Sequence, residues 1–294
     1  RPATGLGPLG HVAAAHVVTA LGVTKDDEIG VGGLESLLLV TSANHAVQIK
    51  DLKDQVPGGL LGLGHIWEFA AGQERWCVRT EPKLICADAS GMHVLAAENR
   101  FGHLFSVRGE LYVRDDAVGL KRVAQRGLER MVGGEFYADR ALVALLPAGA
   151  NGLAGLSIAP FEIATWSDPD SPPVPVTVAG ADRLDGSVDG PRLLGDGAVG
   201  LPYVNGDLVI LGSDWTEIAR FQARQFGASP GAQAIHADDE GGLWISWNNA
   251  VTRIDWPSRV LLFKQTEGIH ETPAGVLEHA RGIIAYTNKN FAVL

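Results

Sequence analysis

Residues 233–255, QAIHADDEGGLWISWNNAVTRID, predict three short antiparallel strands joined by two tight turns. Acidic residues followed by Gly241 and Gly242 supply the left-handed backbone positions that a hairpin turn needs. Asn248 and Asn249 predict the second turn, because Asn tolerates left-handed geometry. Three consecutive antiparallel strands of this length make up most of one blade of a β-propeller.

Weaker copies of the segment extend the pattern along the chain. Gly-led apolar runs begin at Gly206, Gly242 and Gly282, so successive starts lie 36 and 40 residues apart. A period near 40 residues is the length of a four-stranded blade. The pattern predicts strands that occupy equivalent places in successive blades, starting near Leu37, Met92, Ala141, Asp207, Leu243 and Ile283.

We therefore expect an all-β propeller of six or seven four-stranded blades, in a single domain that covers residues 1–294. Propellers avoid exposed sheet edges by closing the ring. We expect closure by pairing of a strand within 11–23 with strands of 282–294. Two segments, 12–21 and 118–131, also fit short helices, and the proline-rich segment 167–173 fits either a surface loop or a linker.

The 233–255 segment resembles the repeat of the two-component regulator propellers, which are sensor domains of bacterial hybrid histidine kinases. The matching residues are Asp239, Gly242, Leu243, Trp244, Ile245 and Asp255. Ser246-Trp247 stands where that family usually has Gly-Thr. The resemblance implies a propeller fold and an extracytoplasmic sensor, and it covers about a twelfth of the chain.

Charge and motifs exclude several classes of function. Lys and Arg number 24 and Asp and Glu number 34, which gives a net charge of −10. That balance argues against a nucleic-acid partner and against binding to an anionic membrane. No apolar run approaches the roughly 20 residues that span a bilayer. No metal-ligand spacing, phosphate loop or nucleophile elbow occurs, so no cofactor, metal or catalytic residue is expected.

Three further features leave alternatives open. Cys77 and Cys86 favour two buried thiols over a disulfide across neighbouring strands. His65 and His103 lie in matching Gly-His-aliphatic-aromatic patterns 38 residues apart, so they could face one pocket or could be half-buried repeat positions. An acidic, glycine-rich tract fits a solvated loop better than a Ca²⁺ site; its acids are Asp182, Asp185, Asp189 and Asp196.

The predicted binding site consists of turn residues that we expect to emerge on one rim of the propeller. A rim of amides, cations and tryptophans suits a polar small ligand, such as a glycan, or a protein partner. The site residues are His45, Arg100, Trp215, Trp247 and Asn249.

The predicted function is ligand sensing or protein interaction without catalysis, with an extracytoplasmic location favoured. One alternative is a propeller lyase or hydrolase, which a cluster of carboxylates and His at the central channel would favour. Another is a cytoplasmic docking scaffold, which a large exposed apolar patch would favour.

Overall fold

The chain folds as an all-β propeller with four-stranded antiparallel blades, as the sequence predicts. The computed structural model describes residues 18–43, 46–125, 127–158, 160–178, 181, 184, 190–194, 197–226, 228, 232–238, 242–255, 259–263, 273–279, 282–287 and 291–293. Short 3₁₀ turns occur at Lys53–Gln55, Gly134–Tyr137 and Ala223–Phe226. Among these residues, no helix is long and apolar enough to cross a membrane.

The first compact unit, Ala15–Thr177, contains four antiparallel sheets whose strands are hydrogen-bonded in chain order. The first sheet comprises β1 (Val18–Val23), β2 (Ile29–Gly33), β3 (Ser36–Ala43) and β4 (Ala46–Asp51). The second comprises β5 (Glu68–Ala71), β6 (Trp76–Arg79), β7 (Lys83–Asp88) and β8 (Gly91–Ala96). The third comprises β9 (Phe101–Val107), β10 (Glu110–Asp115), β11 (Gly119–Ala124) and β12 (Gly127–Arg130). The fourth comprises β13 (Ala141–Ala148), β14 (Gly152–Ile158), β15 (Glu162–Trp166) and β16 (Val174–Val176).

The described residues of the second unit lie within Val178–Leu294 and form three further sheets. One comprises β17 (Arg192–Leu193), β18 (Val199–Pro202), β19 (Asp207–Leu211) and β20 (Glu217–Gln222). The next comprises β21 (Ala232–Ala237), β22 (Gly242–Trp247), β23 (Ala250–Asp255) and β24 (Arg259–Phe263). The last is three-stranded, with β25 (Pro273–His279), β26 (Gly282–Thr287) and β27 (Phe291–Val293).

Within each unit, the first strands of neighbouring sheets contact one another, as β5 does with β1 and with β9. Because consecutive strands run antiparallel, the turn between strands two and three lies at the end where strand one begins. We call this end the leading end and the opposite end the trailing end. Connections from one sheet to the next also lie at the leading end.

Neighbouring sheets of the first unit pack closely because glycines face large side chains. A Cβ atom at Gly30 would lie 2.0 Å from Cε2 of Phe69, and one at Gly22 would lie 2.2 Å from Cδ1 of the same ring. Phe69 therefore occupies space that only these glycines leave free. Apolar residues of both sheets, Leu37 and Ile85 among them, complete this part of the core.

The predicted strands exist, but their predicted equivalence is wrong. The residues near which they start fall in strands of four different ranks: Leu37 and Asp207 in third strands, Met92 in a fourth, Ala141 in a first, and Leu243 and Ile283 in second strands. A blade sandwiched between its neighbours buries most of its strands, so an apolar run does not reveal rank.

Four further expectations from the sequence have different outcomes in the structure. The segment 118–131 is not helical, because β11 and β12 occupy most of it. Cys77 and Cys86 are not free thiols: they are opposite each other on β6 and β7 and form a disulfide. The segment expected to close the ring, residues 11–23, is described only from Val18 onward, as β1. This strand pairs with β2, and residues 11–17 lie outside the described residues. The acidic residues Asp182, Asp185, Asp189 and Asp196 also lie outside them.

Candidate functional site

The five residues predicted as a binding site fall in different structural environments. Arg100 lies in the connection between β8 and β9, at the leading end of the first unit. Its guanidinium is exposed and pairs with Asp116, with Nη2 and Oδ2 2.7 Å apart. The hydrogen bond to Asp116, together with its charge, raises the pKa of Arg100. Arg100 is therefore an anchored cation at the surface.

Trp247 is not a rim residue, because its side chain is fully buried. Its indole Nε1 donates a hydrogen bond to Oγ1 of Thr252, 2.9 Å away on the neighbouring strand. The bond satisfies the indole N–H inside the core, where an unpaired donor would be costly. Trp247 is therefore a core residue of its sheet.

Trp215 and Asn249 belong to turns of different kinds. Trp215 lies between the third and fourth strands of its sheet and adopts a left-handed backbone, with φ of 65°. Asn249 is exposed in the turn between second and third strands, where the sequence predicts a turn. Turns of these two kinds leave a sheet at opposite ends, so the two side chains do not share one end. His45 lies outside the described residues.

The leading end of the first unit instead carries a carboxylate–imidazole pair on two inner strands. Glu68 begins β5, and His103 is the third residue of β9. Nδ1 of His103 lies 2.5 Å from Oε1 of Glu68. Because an ionised carboxylate only accepts hydrogen bonds, Nδ1 carries the proton. Nε2 is therefore the ring atom left to face a ligand, on a side chain that is 45% exposed.

A third residue holds the carboxylate of this pair in place. Oε2 of Glu68 accepts hydrogen bonds from Nε of Arg79 at 2.7 Å and from the backbone N–H of Leu104 at 2.7 Å. Burial alone would raise the pKa of Glu68. The hydrogen bond and charge of His103, with the charge of Arg79, outweigh burial and lower that pKa. Glu68 is therefore an ionised support for the His103 ring.

An exposed surface includes the residues that directly precede Glu68 in the chain. Trp67 directly precedes Glu68, and its side chain is 44% exposed. The ring of His65 lies 5.1 Å from it, centroid to centroid. Leu34, also exposed, lies at a turn whose backbone bridges to His65. The exposed Leu61 is next to Gly62, whose N–H donates to Glu35. We call Leu34, Leu61, His65 and Trp67 the aromatic surface.

At the trailing end, Asp88, Ser90 and His93 form a cluster with the composition of a catalytic triad. Ser90 Oγ lies 2.9 Å from Nε2 of His93, and Asp88 Oδ1 lies 3.4 Å from the same nitrogen. In a triad, the acid binds the other ring nitrogen and orients the base. Asp88 Oδ1 also accepts from the backbone N–H of Ser90 at 2.8 Å. The cluster is therefore a side-chain-stabilised turn.

Sequence reasoning found part of this site. The paired Gly-His patterns pointed to His65 and His103, and both lie at the leading end of the first unit. Trp67 is the aromatic residue of the first pattern but was not predicted to bind, and Glu68, which directly follows that pattern, was missed. The contact between Glu68 and His103 spans 35 positions of the chain, so only the packing of β5 against β9 reveals it. Among the described residues, no group of three or more His, Cys, Asp or Glu is arranged to hold a metal ion.

No protein-family model matches this sequence, and no curated protein matches it. Solved structures of similar shape are nonetheless numerous. The streptogramin B lyase structure has a TM-score of 0.71 at 10% identity, covering 96% of this chain and 95% of that chain. The WD40 propeller domain of Doa1 has a TM-score of 0.68 at 11% identity, covering 96% and 92%.

A third similar structure is the extracellular domain of the hybrid two-component system BT4673 from B. thetaiotaomicron. Its TM-score is 0.70 at 12% identity, covering 98% of this chain and 42% of that chain. At such identities, the likeness shows the propeller fold alone. The similar structures include an enzyme, a WD40 domain and an extracellular domain, and one propeller scaffold serves unrelated functions.

Proposed function

We propose that the protein is a non-catalytic binding propeller that recognises a polar ligand or a protein partner at the leading end of its first unit. The observation that carries the proposal is the half-exposed Trp67 directly before Glu68, whose carboxylate supports the imidazole of His103. An aromatic face with a few fixed polar groups is the usual composition of a site that binds without reacting. Arg100, from the predicted rim, adds a cation at the same end of this unit.

An extracytoplasmic location accompanies this proposal. The disulfide between Cys77 and Cys86 supports it, because disulfides persist in oxidising compartments and are rare in the cytosol. The resemblance of residues 233–255 to the regulator-propeller repeat supports a sensor role. The similar extracellular domain of BT4673 agrees in fold. A cytoplasmic docking scaffold would instead retain free thiols.

A binding screen tests the site. Wild type, Trp67→Ala and Arg100→Ala are compared on glycan and peptide arrays, with folding checked by circular dichroism. We expect the ligand found for wild type to bind Trp67→Ala at least about tenfold more weakly. Trp215→Ala serves as the matched control, since Trp215 lies between the third and fourth strands of its sheet and so at the trailing end of that sheet. Loss of binding in Trp215→Ala with full binding in Trp67→Ala would refute the proposed site.

A lyase or hydrolase is a second candidate, favoured by the Glu68–His103 pair alone. An imidazole whose Nδ1 is held by a carboxylate presents Nε2 as a general base. The test is a panel of lyase and hydrolase substrates, including a streptogramin B, at multiple-turnover conditions. Turnover by wild type that disappears in His103→Gln would establish this candidate and refute the non-catalytic proposal.

A further inference from the structure

Two adjoining cavities lie at the trailing end of the first unit, between its second and third sheets. Their volumes are about 330 Å³ and 400 Å³. Each lies within the range of roughly 300–1,000 Å³ that small-molecule sites occupy. Arg75, Ala124 and Gln125 line both cavities and so join them into one double cavity. This double cavity is at the opposite end of the sheets from Trp67 and His103.

Arg75 is the central group of the double cavity. Its side chain is only 11% exposed. Nη1 donates one hydrogen bond, to the carbonyl of Ala124 at 2.6 Å. Nη2 lies 3.8 Å from Oδ2 of Asp88, which is too long for a hydrogen bond. Within the described part of the chain, the guanidinium therefore has one hydrogen-bond partner, Ala124, and one ion-pair partner, Asp88, and its other N–H groups are open to a ligand. A planar fork of this kind matches a carboxylate.

The first cavity adds negative charge at a second position. Glu74 and Glu110 line it, and neither carboxylate pairs with another described residue. Arg122 also lines it but is engaged by Glu129, with Nη2 and Oε2 2.9 Å apart. Positive charge with open donors at Arg75 thus lies near negative charge with open acceptors at Glu74 and Glu110.

The second cavity is less charged and is braced by a covalent link. Its lining includes Ser90, His93 and Leu95, and also Cys86 of the disulfide. Cys77, the disulfide partner, lies two residues after Arg75. The bridge therefore holds β6, which begins directly after Arg75, against the strand that ends at Asp88. A binding group fixed in this way loses little conformational entropy when a ligand arrives.

We propose that the double cavity binds a small zwitterionic ligand, a free amino acid or a very short peptide. Its carboxylate meets the guanidinium of Arg75, and its ammonium group meets the carboxylates of Glu74 and Glu110. A ligand with one negative and one positive group fits the double cavity best. The guanidinium of Arg75 matches the negative group, the separate carboxylates match the positive group, and the cavity volume admits a small molecule. The described lining residues include no Trp, Tyr or Phe, so a stacked sugar ring fits less well.

The test uses the intact chain and a calorimetric titration panel of amino acids and dipeptides. Each ligand is paired with its N-acetylated form and its C-amidated form. We expect some free forms to bind wild type, and each blocked form to bind at least about tenfold more weakly. Equal binding of blocked and free forms would overturn the proposal. So would the absence of binding by every free form at concentrations up to about 10 mM.

Two variants test whether the ligand binds in the double cavity. Arg75→Gln should weaken a free dipeptide at least about tenfold while leaving its C-amidated form unchanged, because only the free carboxylate uses Arg75. Arg130→Gln is the matched control, because Arg130 is exposed and pairs with Glu98. This variant should bind the free dipeptide as tightly as wild type does. Equal weakening of both ligand forms by Arg75→Gln would overturn the assignment.

The zwitterion site at Arg75 and the proposed binding site at Trp67 can be refuted independently of each other. If Arg75→Gln is unfolded by circular dichroism, Glu110→Gln takes its place and should weaken free dipeptides but not their N-acetylated forms. Trp67→Ala should leave zwitterion binding unchanged, because the aromatic surface lies at the other end of the sheets. A zwitterion whose binding is lost in Trp67→Ala and kept in Arg75→Gln would overturn the assignment.

Discussion

Trp244 is fixed by a partly buried polar anchor and by packing between two sheets of the second unit. Its Nε1 donates to Oδ2 of Asp238 at 2.8 Å, and Nε of Arg253 donates to the same oxygen at 2.9 Å. Its ring packs with apolar residues of the last sheet, including Val276 and Ile283. Trp244 is accordingly buried, with only 7% of its surface exposed.

Trp244→Ala should lower the free energy of unfolding by about 3–5 kcal/mol, because the change leaves a cavity and removes one hydrogen bond to the Asp238 carboxylate. Urea denaturation measures the change. Trp67→Ala is the matched control: Trp67 is 44% exposed, and its loss should cost no more than about 1 kcal/mol. Similar midpoints for Trp244→Ala and wild type would show that Trp244 is dispensable to the core.

Glu68 predicts a defined pH dependence of stability. Its pKa in the folded protein is lower than its ordinary value of 4.5. Ionised Glu68 therefore stabilises the fold above pH 4.5, and this stabilisation is lost as pH falls through the folded-state pKa. In Glu68→Gln, the free energy of unfolding should fall less steeply below pH 4.5 than in wild type.

Urea denaturation at a series of pH values, from 7 down to about 3, measures this difference. A Glu68→Gln profile parallel to wild type over the whole range would contradict the ion-pairing assigned to Glu68.

At the scale of elements, the hairpin of β6 and β7 is cross-linked by the disulfide between Cys77 and Cys86, nine positions apart. A bridge that closes so short a loop stabilises by about 2–3 kcal/mol through the entropy of the unfolded chain. Reducing agent should lower the unfolding midpoint of wild type accordingly. The double change Cys77→Ser, Cys86→Ser should abolish that response. Free-thiol titration of the unfolded, unreduced protein provides an independent check, because two free thiols would contradict the disulfide.

The contact between the first and second sheets depends on Gly30. A Cβ atom there would overlap the Phe69 ring, so Gly30→Ala should destabilise the protein by about 1–3 kcal/mol. Phe69→Leu in the same chain should recover part of the loss, since the smaller side chain makes room. A double-mutant cycle by thermal unfolding measures the coupling. Additive effects of the two changes would mean that Gly30 and Phe69 do not pack together.

At the scale of the whole molecule, the expected role of the N-terminal segment in closing the ring stays a prediction. Deleting residues 1–25 removes β1, the inner strand of the first sheet, and should expose β2 as a new edge. We expect reduced solubility and heat resistance, measured by sedimentation and thermal unfolding. Deleting residues 1–17 leaves β1 intact and tests closure alone. If that shorter deletion matches the parent protein in both measurements, closure by this segment is wrong.

Local chemistry was sufficient to predict the propeller class. Turn residues such as Asn248 and Asn249, and apolar runs such as 243–245, act through neighbours a few positions away, so the chain itself carries their signal. The same local signal was insufficient for strand rank. Leu37 and Leu243 lie in similar apolar runs but occupy third and second strands, because strands of both ranks are buried between packed blades.

The binding residues depended on contacts between distant parts of the chain. Trp247 matched a rim pattern in sequence but is fully buried, since its sheet is covered on both faces. Glu68 and His103 meet across 35 positions only because β5 packs against β9. The double cavity around Arg75 likewise exists only where two sheets adjoin. The sequence thus determined the strands and turns, whereas packing of the sheets decided which side chains meet a ligand.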